Sequence, residues 1–289
     1  MEQNYRSMPQ ESIQLCQTGA DLNRSCRLRT GNIIQLPANG RVIVSGDLHG
    51  HTRNYERIMN MADLANNPTT HVILQEIIHG GPEDDFGGCL SYQLLFDAIR
   101  AKVAYPDQVH LLLGNHDTAV ISNSAVLKCG REMNSAMKGA MQRRYNEKYS
   151  DVFNALVDYL LSQPLAVRCA NRVWVSHSLP ADNEIDRFDL SIFNRPYTPD
   201  DIERANPVYL MTWGRRHSDE ALNRLADMLD VDVFVLGHQP QEMGWGRLGS
   251  NTIILASEHS YGSVLFFNLA QPYTADTLVR NIIPLGEIE

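Results

Sequence analysis

The sequence contains no Cys-x-x-Cys pair, no apolar run near the roughly 20 residues of a membrane span, and no basic-then-apolar leading segment. Its five cysteines (Cys16, Cys26, Cys89, Cys129 and Cys169) are odd in number and scattered. Neither a zinc ribbon nor a disulfide framework is expected from them, and reduced thiols in a cytoplasmic protein are the simplest expectation. Positive charge is also in short supply: 25 Lys and Arg face 34 Asp and Glu, a formal net charge of -9. That balance argues against nucleic-acid or anionic-membrane partners, yet leaves room for a positive pocket built from metal ions. Internal repeats, low-complexity segments and interdomain linkers are all missing. What remains is a chain of 289 residues, 43% hydrophobic and 20% charged, with the balance of an ordinary globular protein and enough length for a large core.

One stretch organises the rest: Val42-Ile43-Val44-Ser45-Gly46-Asp47-Leu48-His49-Gly50-His51. A β-branched run that suits a strand buried on both faces meets a glycine, a carboxylate, an imidazole two positions on, and a second glycine. Glycines turn the backbone sharply off the strand end, and ligands of open α/β sheets collect at the carboxyl ends of strands. Asp47 and His49 therefore face one point, where Mn, Fe or Zn suits a mixed oxygen and nitrogen donor set. Taken alone, Asp-x-His after a strand equally suits an Asp turn followed by a surface histidine.

The pattern recurs. Residues 1–40 read as a polar N-terminal arm, and residues 41–289 as a single domain. Val72-Ile73-Leu74 runs into Gln75-Glu76-Ile77-Ile78-His79-Gly80-Gly81, and Val109 to Leu113 runs into Gly114-Asn115-His116-Asp117. A buried Asn needs a partner for its carbonyl, and a metal ion is a candidate. Residues 122–163 read as mainly helical. Leu165 to Val167 and Val173 to Ser176 read as a hairpin leading to His177, and Val231 to Leu236 leads to Gly237-His238-Gln239. Residues 181–220 read as a long polar stretch that would wall a substrate groove. Thr252 to Ser257 and Ser263 to Leu269 read as late strands, the first leading into Glu258-His259-Ser260-Tyr261-Gly262. Five strand ends thus present Asp47/His49, Glu76, Asn115/His116, His177 and His238. Strand–helix alternation followed by late strands predicts two sheets with helices outside.

On Gly46-Asp47-Leu48-His49-Gly50, Gly114-Asn115-His116-Asp117, His177 and Gly237-His238-Gln239, the chain resembles the calcineurin-like metallophosphoesterases, within them the serine/threonine phosphoprotein phosphatases. The resemblance covers residues 42–267 and implies a four-layer αββα sandwich of two mixed sheets. It implies a binuclear centre of Mn, Fe or Zn ions, one on Asp47 and His49, the other on Asn115, His177 and His238, with Glu76 bridging. Two such cations share a hydroxide and clamp phosphate oxygens. Asp47 and His116 then count as catalytic, His116 as general acid to the leaving oxygen, while Asn115, His79, Arg215 and Arg216 face the phosphorylated substrate. The second motif departs from the family's Gly-Asp-x-x-Asp-Arg-Gly. Glu76 stands for the bridging Asp, His79 for the Asp that orients the catalytic His, and Gly80 for a phosphate-gripping Arg. The expected activity is hydrolysis of phosphate monoesters. Dinucleoside polyphosphate or diester hydrolysis on the same site, and a metal-binding scaffold without catalysis, are the alternatives.

Overall fold

In the computed structural model, which describes residues 8–128 and 130–288, the β-branched runs become the centres of two sheets. In chain order the strands are β1 (Arg29–Thr30), β2 (Ile33–Leu36), β3 (Arg41–Asp47), β4 (Thr70–Gln75), β5 (Val109–Leu112), β6 (Leu127–Lys128), β7 (Arg131–Glu132), β8 (Ala166–Cys169), β9 (Val173–Ser176), β10 (Val233–Leu236), β11 (Trp245–Leu248), β12 (Thr252–Leu255), β13 (Ser263–Asn268) and β14 (Ile282–Pro284). One sheet runs β14-β13-β3-β4-β5 and the other β1-β2-β8-β9-β10-β12-β11, with β6 and β7 forming a separate hairpin. β3, β4 and β5 are parallel to one another, as are β9, β10 and β12. Parallel neighbours deliver their carboxyl ends to the same edge of each sheet.

Side-chain alternation along the strands builds three apolar layers. Val42, Val44 and Ile73 pack against Val175, Val233, Val235 and Ile253 between the sheets. Ile43, Val72 and Leu74 point the other way, under helices α1 (Pro9–Arg24), α2 (Thr52–Ala62), α3 (Ser91–Ala104), α4 (Asn115–Ile121), α5 (Met133–Tyr145) and α6 (Tyr149–Leu160). Phe234 and Leu236 face the opposite outer layer, where α7 (Pro199–Ile202), α8 (Pro207–Trp213) and α9 (Asp219–Leu229) lie. The result is the expected αββα sandwich.

The two sheets touch at their carboxyl ends. A parallel bridge joins Asp47 to Ala256, the Ser257 amide donates to the Asp47 carbonyl at 2.9 Å, and the Gly46 amide donates to Ser257 Oγ at 2.9 Å. A Cβ on Gly46 would lie 2.2 Å from the Leu255 carbonyl, so only glycine permits this approach. Next to it, the register of β3 against β4 slips between Val44 and Asp47. Such a bulge re-aims the side chains at a strand end.

Three expectations need correction. Residues 9–36 are not set apart: α1 carries Cys16 and Ala20 into the core, and β2 pairs with β8. Residues 1–7 of the expected arm lie outside the described residues, as does Cys129. The stretch from 122 begins with the β6–β7 hairpin before α5 starts. Residues 181–220 fold into single-turn 3₁₀ segments and two short helices, α7 and α8, which bury Ile185, Phe188, Ile192, Phe193, Ile202 and Val208.

Candidate metal centre

Three of the strand ends turn a polar residue inward at a backbone cost. His49, Glu76, His79 and His238 have φ of 41°, 40°, 67° and 66°, the left-handed region that costs a non-glycine residue about 1 kcal/mol or more. Four such residues at one place mark a geometry held by the fold around it. At Gly114, a Cβ would meet Glu76 Oε2 at 2.3 Å, so the glycine makes room for that carboxylate.

Three atoms converge at one position. His177 Nε2 lies 2.8 Å and His238 Nδ1 2.9 Å from Asn115 Oδ1. Glu76 Oε2 sits 3.2 Å from His177 Nε2 and accepts from the His116 amide at 3.1 Å. At a second position, His49 Nε2 is 3.8 Å from Asp47 Oδ2. His49 Nδ1 donates to the Ile78 carbonyl at 2.8 Å, which leaves Nε2 with its lone pair, the tautomer of a metal-ligating histidine. Asp47 accepts from the His238 amide at 3.0 Å and approaches His177 Nδ1 at 3.6 Å.

These side chains are buried. Burial pushes Asp47 up to about 6. Burial, with Asp117 and Asp47 nearby, pushes Glu76 well above the usual carboxylate range, and burial pushes Asp117 up to about 7. Burial pushes the His177 ring down to about 3 and those of His49 and His238 well down. Glu76 Oε1 and His177 Nδ1 are buried with no hydrogen-bond partner. A bound cation keeps these imidazoles neutral and reverses the carboxylates' resistance to ionisation, since its charge becomes the largest in the site. The donor set of carboxylate, amide oxygen and imidazole nitrogen fits Mn, Fe or Zn.

His116 stands beside this group, its ring centroid 4.8 Å from that of His49. His116 Nδ1 lies 2.9 Å from His79 Nδ1. Burial and the neighbouring histidines push His116 far down, and burial takes His79 to about 3. Of the two arginines, Arg215 Nε donates to His238 Nε2 at 2.9 Å. Arg216 instead lines an adjoining cleft of about 270 Å³ with Arg187, Arg204, Trp213 and Arg215.

The family is decided by the segment that carries these residues. The calcineurin-like phosphoesterase model matches residues 40–242. The chain belongs to the calcineurin-like phosphoesterases. It is 22% identical over 189 residues to serine/threonine-protein phosphatase 5 of Rattus norvegicus, covering 65% of this chain and 33% of that protein. The chain thus spans about a third of the length of this curated relative. Its fold is similar to a solved protein serine/threonine phosphatase from Saccharomyces cerevisiae, described as similar to human phosphatase PP5. That likeness has a TM-score of 0.67 at 15% identity, over 97% of this chain and 94% of the other. It is also similar to a cold-active protein-tyrosine phosphatase of a psychrophilic Shewanella, with a TM-score of 0.57 at 17% identity, over 86% and 80%.

Two residues of the site escape the sequence reading. Glu258 follows β12, and one of its carboxylate oxygens falls within 4.8 Å of ligand atoms of Asp47 and His49. It is a further polar strand end beside Asp47 and His49, and counting it with the others would have found it. Lys128, on the β6–β7 hairpin, reaches Glu258 Oε1 at 4.0 Å, and its charge acts on Asp47, His49, Glu76 and His116. No local signal in the chain reveals it, because a hairpin folding over the site is a tertiary event. Among the described residues, no helix is long and apolar enough to cross a membrane.

Proposed function

We propose that the chain hydrolyses phosphate monoesters at a two-cation centre, with Asp47, His49 and Glu76 holding one ion and Glu76, Asn115, His177 and His238 the other. The observation that carries this reading is the convergence of His177 Nε2 and His238 Nδ1 on Asn115 Oδ1 at 2.8 and 2.9 Å, beside an unpartnered Glu76 Oε1. Two Mn or Fe ions bound there would activate water and draw charge from phosphate oxygens.

The chain's own residues do the rest. His116, with Nδ1 turned to His79, keeps Nε2 for the leaving oxygen and gives it a proton. A phosphate dianion beside the ring raises its affinity for that proton, offsetting the burial that lowers it. Arg215 is linked to the same chemistry. For His238 to offer Nδ1 as a ligand, its Nε2 must carry the proton and cannot accept from Arg215. The guanidinium then leaves the ring and turns to phosphate oxygens, which suit its planar fork. The names of the relatives support phosphoprotein substrates, and the four free cysteines among the described residues accord with a reducing cytoplasm.

One observation favours diester or dinucleoside polyphosphate hydrolysis as the second reading: position 80 offers no guanidinium to a terminal dianionic phosphate. The test assays chelator-stripped full chain, with and without Mn2+, on p-nitrophenyl phosphate, its bis-ester and phosphopeptides. Mn2+-dependent turnover of the monoester and phosphopeptide, lost in Asp47→Ala and His238→Ala, is the expected result. Faster turnover of the bis-ester selects the second reading, metal binding without turnover of any ester selects a scaffold, and turnover that persists without metal refutes the two-cation reading.

A further inference from the structure

We propose that Glu258 is a further ligand of the cation held by Asp47 and His49, an inference that rests on the two-cation reading above. A carboxylate oxygen of Glu258, one of Asp47 and a ring nitrogen of His49 lie within 4.8 Å of one another. Donors of an ion at about 2.1 Å are separated by about 3–4 Å, so a small inward movement closes the set.

The residue is held in place to do this. Buried Asn54 of α2 donates through Nδ2 to the carbonyls on both sides of Glu258, Ser257 at 2.7 Å and His259 at 2.9 Å. His259 Nε2 lies 2.9 Å from the Gln241 carbonyl. The preceding residue is fastened to β3 by the Ser257 amide on the Asp47 carbonyl. Glu258 is therefore fixed relative to Asp47 by two independent elements. With Glu76, the site becomes three carboxylates to one imidazole, a set that favours Mn2+ over Zn2+.

Lys128 Nζ, 4.0 Å from Glu258 Oε1, defines the competing role. If Glu258 serves only as the partner of Lys128, Glu258→Gln leaves metal binding as it was, while Lys128→Met tightens it in either case because the Lys128 charge also acts on Asp47, His49 and Glu76. If Glu258 is a ligand, the two substitutions act in opposite directions. Glu258→Gln removes a donor, while Lys128→Met removes a like charge and frees the carboxylate.

Mn2+ titrated calorimetrically into chelator-stripped full chain reads this directly. Glu258→Gln is expected to weaken one of two binding events by about 10-fold or more, the scale of outer-partner losses at metal sites, and to leave the other event unchanged. Lys128→Met is expected to tighten that same event. Glu258→Asp, which shortens the reach, weakens it too and serves if the Gln variant does not fold. Wild-type affinity in Glu258→Gln, or equal shifts in both substitutions, overturns the inference. Asp47→Ala separates the two levels. If it loses Mn2+ while Glu258→Gln does not, only the role of Glu258 fails. If it binds like wild type, the centre itself fails and the inference with it.

Discussion

Arginine placed at position 80, where the resembling phosphatases carry one, is expected to harm this protein rather than improve it. A Cβ on Gly80 would lie 2.4 Å from the His49 carbonyl oxygen and 3.1 Å from its Cβ. The neighbouring turn is equally close, since a Cβ on Gly81 would lie 2.3 Å from the Gly50 carbonyl. Ordinary contact begins at 3.4 Å, so the His49 backbone must give way by about 1 Å. His49 has little freedom to do so, because its Nδ1 is tied to Ile78 and its amide to the Glu76 carbonyl at 2.8 Å. Overpacking of this kind costs about 1–3 kcal/mol, and a displacement near 1 Å at a catalytic group costs about 100-fold in rate. Gly80→Arg and Gly80→Ala are therefore both expected to lose about 100-fold in Mn2+-dependent turnover of p-nitrophenyl phosphate, with weaker Mn2+ binding. The clash arises at Cβ, so the two should lose alike. A folded Gly80→Arg variant that binds Mn2+ normally and turns over faster than wild type would refute the reasoning.

Three further outcomes are expected. His79→Asp places a fixed negative charge at His116 Nδ1, raising that ring's proton affinity. The general acid must be protonated, so the alkaline limb of the pH–rate profile moves up by about one pH unit or more, and an unmoved limb counts against His116 as the acid. In metal-free protein, Asp47 and Asp117, raised by burial from the ordinary 3.8 to about 6 and about 7, withdraw stability as pH rises across those intervals. His79 and His177, lowered to about 3, lose it as pH falls below the ordinary 6.5. The two effects offset each other up to about pH 6, so the melting temperature in chelator should peak near pH 6.5, and saturating Mn2+ should remove the alkaline fall; stability that rises from pH 6.5 to 7.5 without metal contradicts this. Asn54→Ala strands one buried and one half-buried carbonyl and is expected to cost about 1–3 kcal/mol in urea unfolding, while a change within 0.5 kcal/mol would deny Asn54 its role in holding the Glu258 loop.

The strands that carry the site are legible because each is a short β-branched run stopped by a polar turn, and burial between two layers demands that pattern. Edge strands β1 and β11 are not, since two to four half-exposed residues leave no periodicity to read. The 181–220 stretch misleads for a related reason. Its buried Ile192, Phe193 and Ile202 sit in single helical turns, each too short to show an amphipathic repeat among the surrounding prolines and charges. At the site, Asp47, His49, Glu76, Asn115, His116, His177 and His238 can be picked out one strand end at a time, and the structure gathers them. Arg215 and Arg216 both line the adjoining cleft, but only Arg215 bonds a site histidine, His238. Lys128 arrives from a hairpin embedded in a stretch of helix-forming residues, and only the folded chain brings it near Glu258.

Anomalous scattering from crystals grown with Mn2+ tests the central claim most directly. Two peaks about 3.5–4 Å apart are expected, one against Asp47 and His49, the other against Asn115, His177 and His238, with the Glu76 carboxylate between them. A single peak, or two that leave Glu76 untouched, would contradict it.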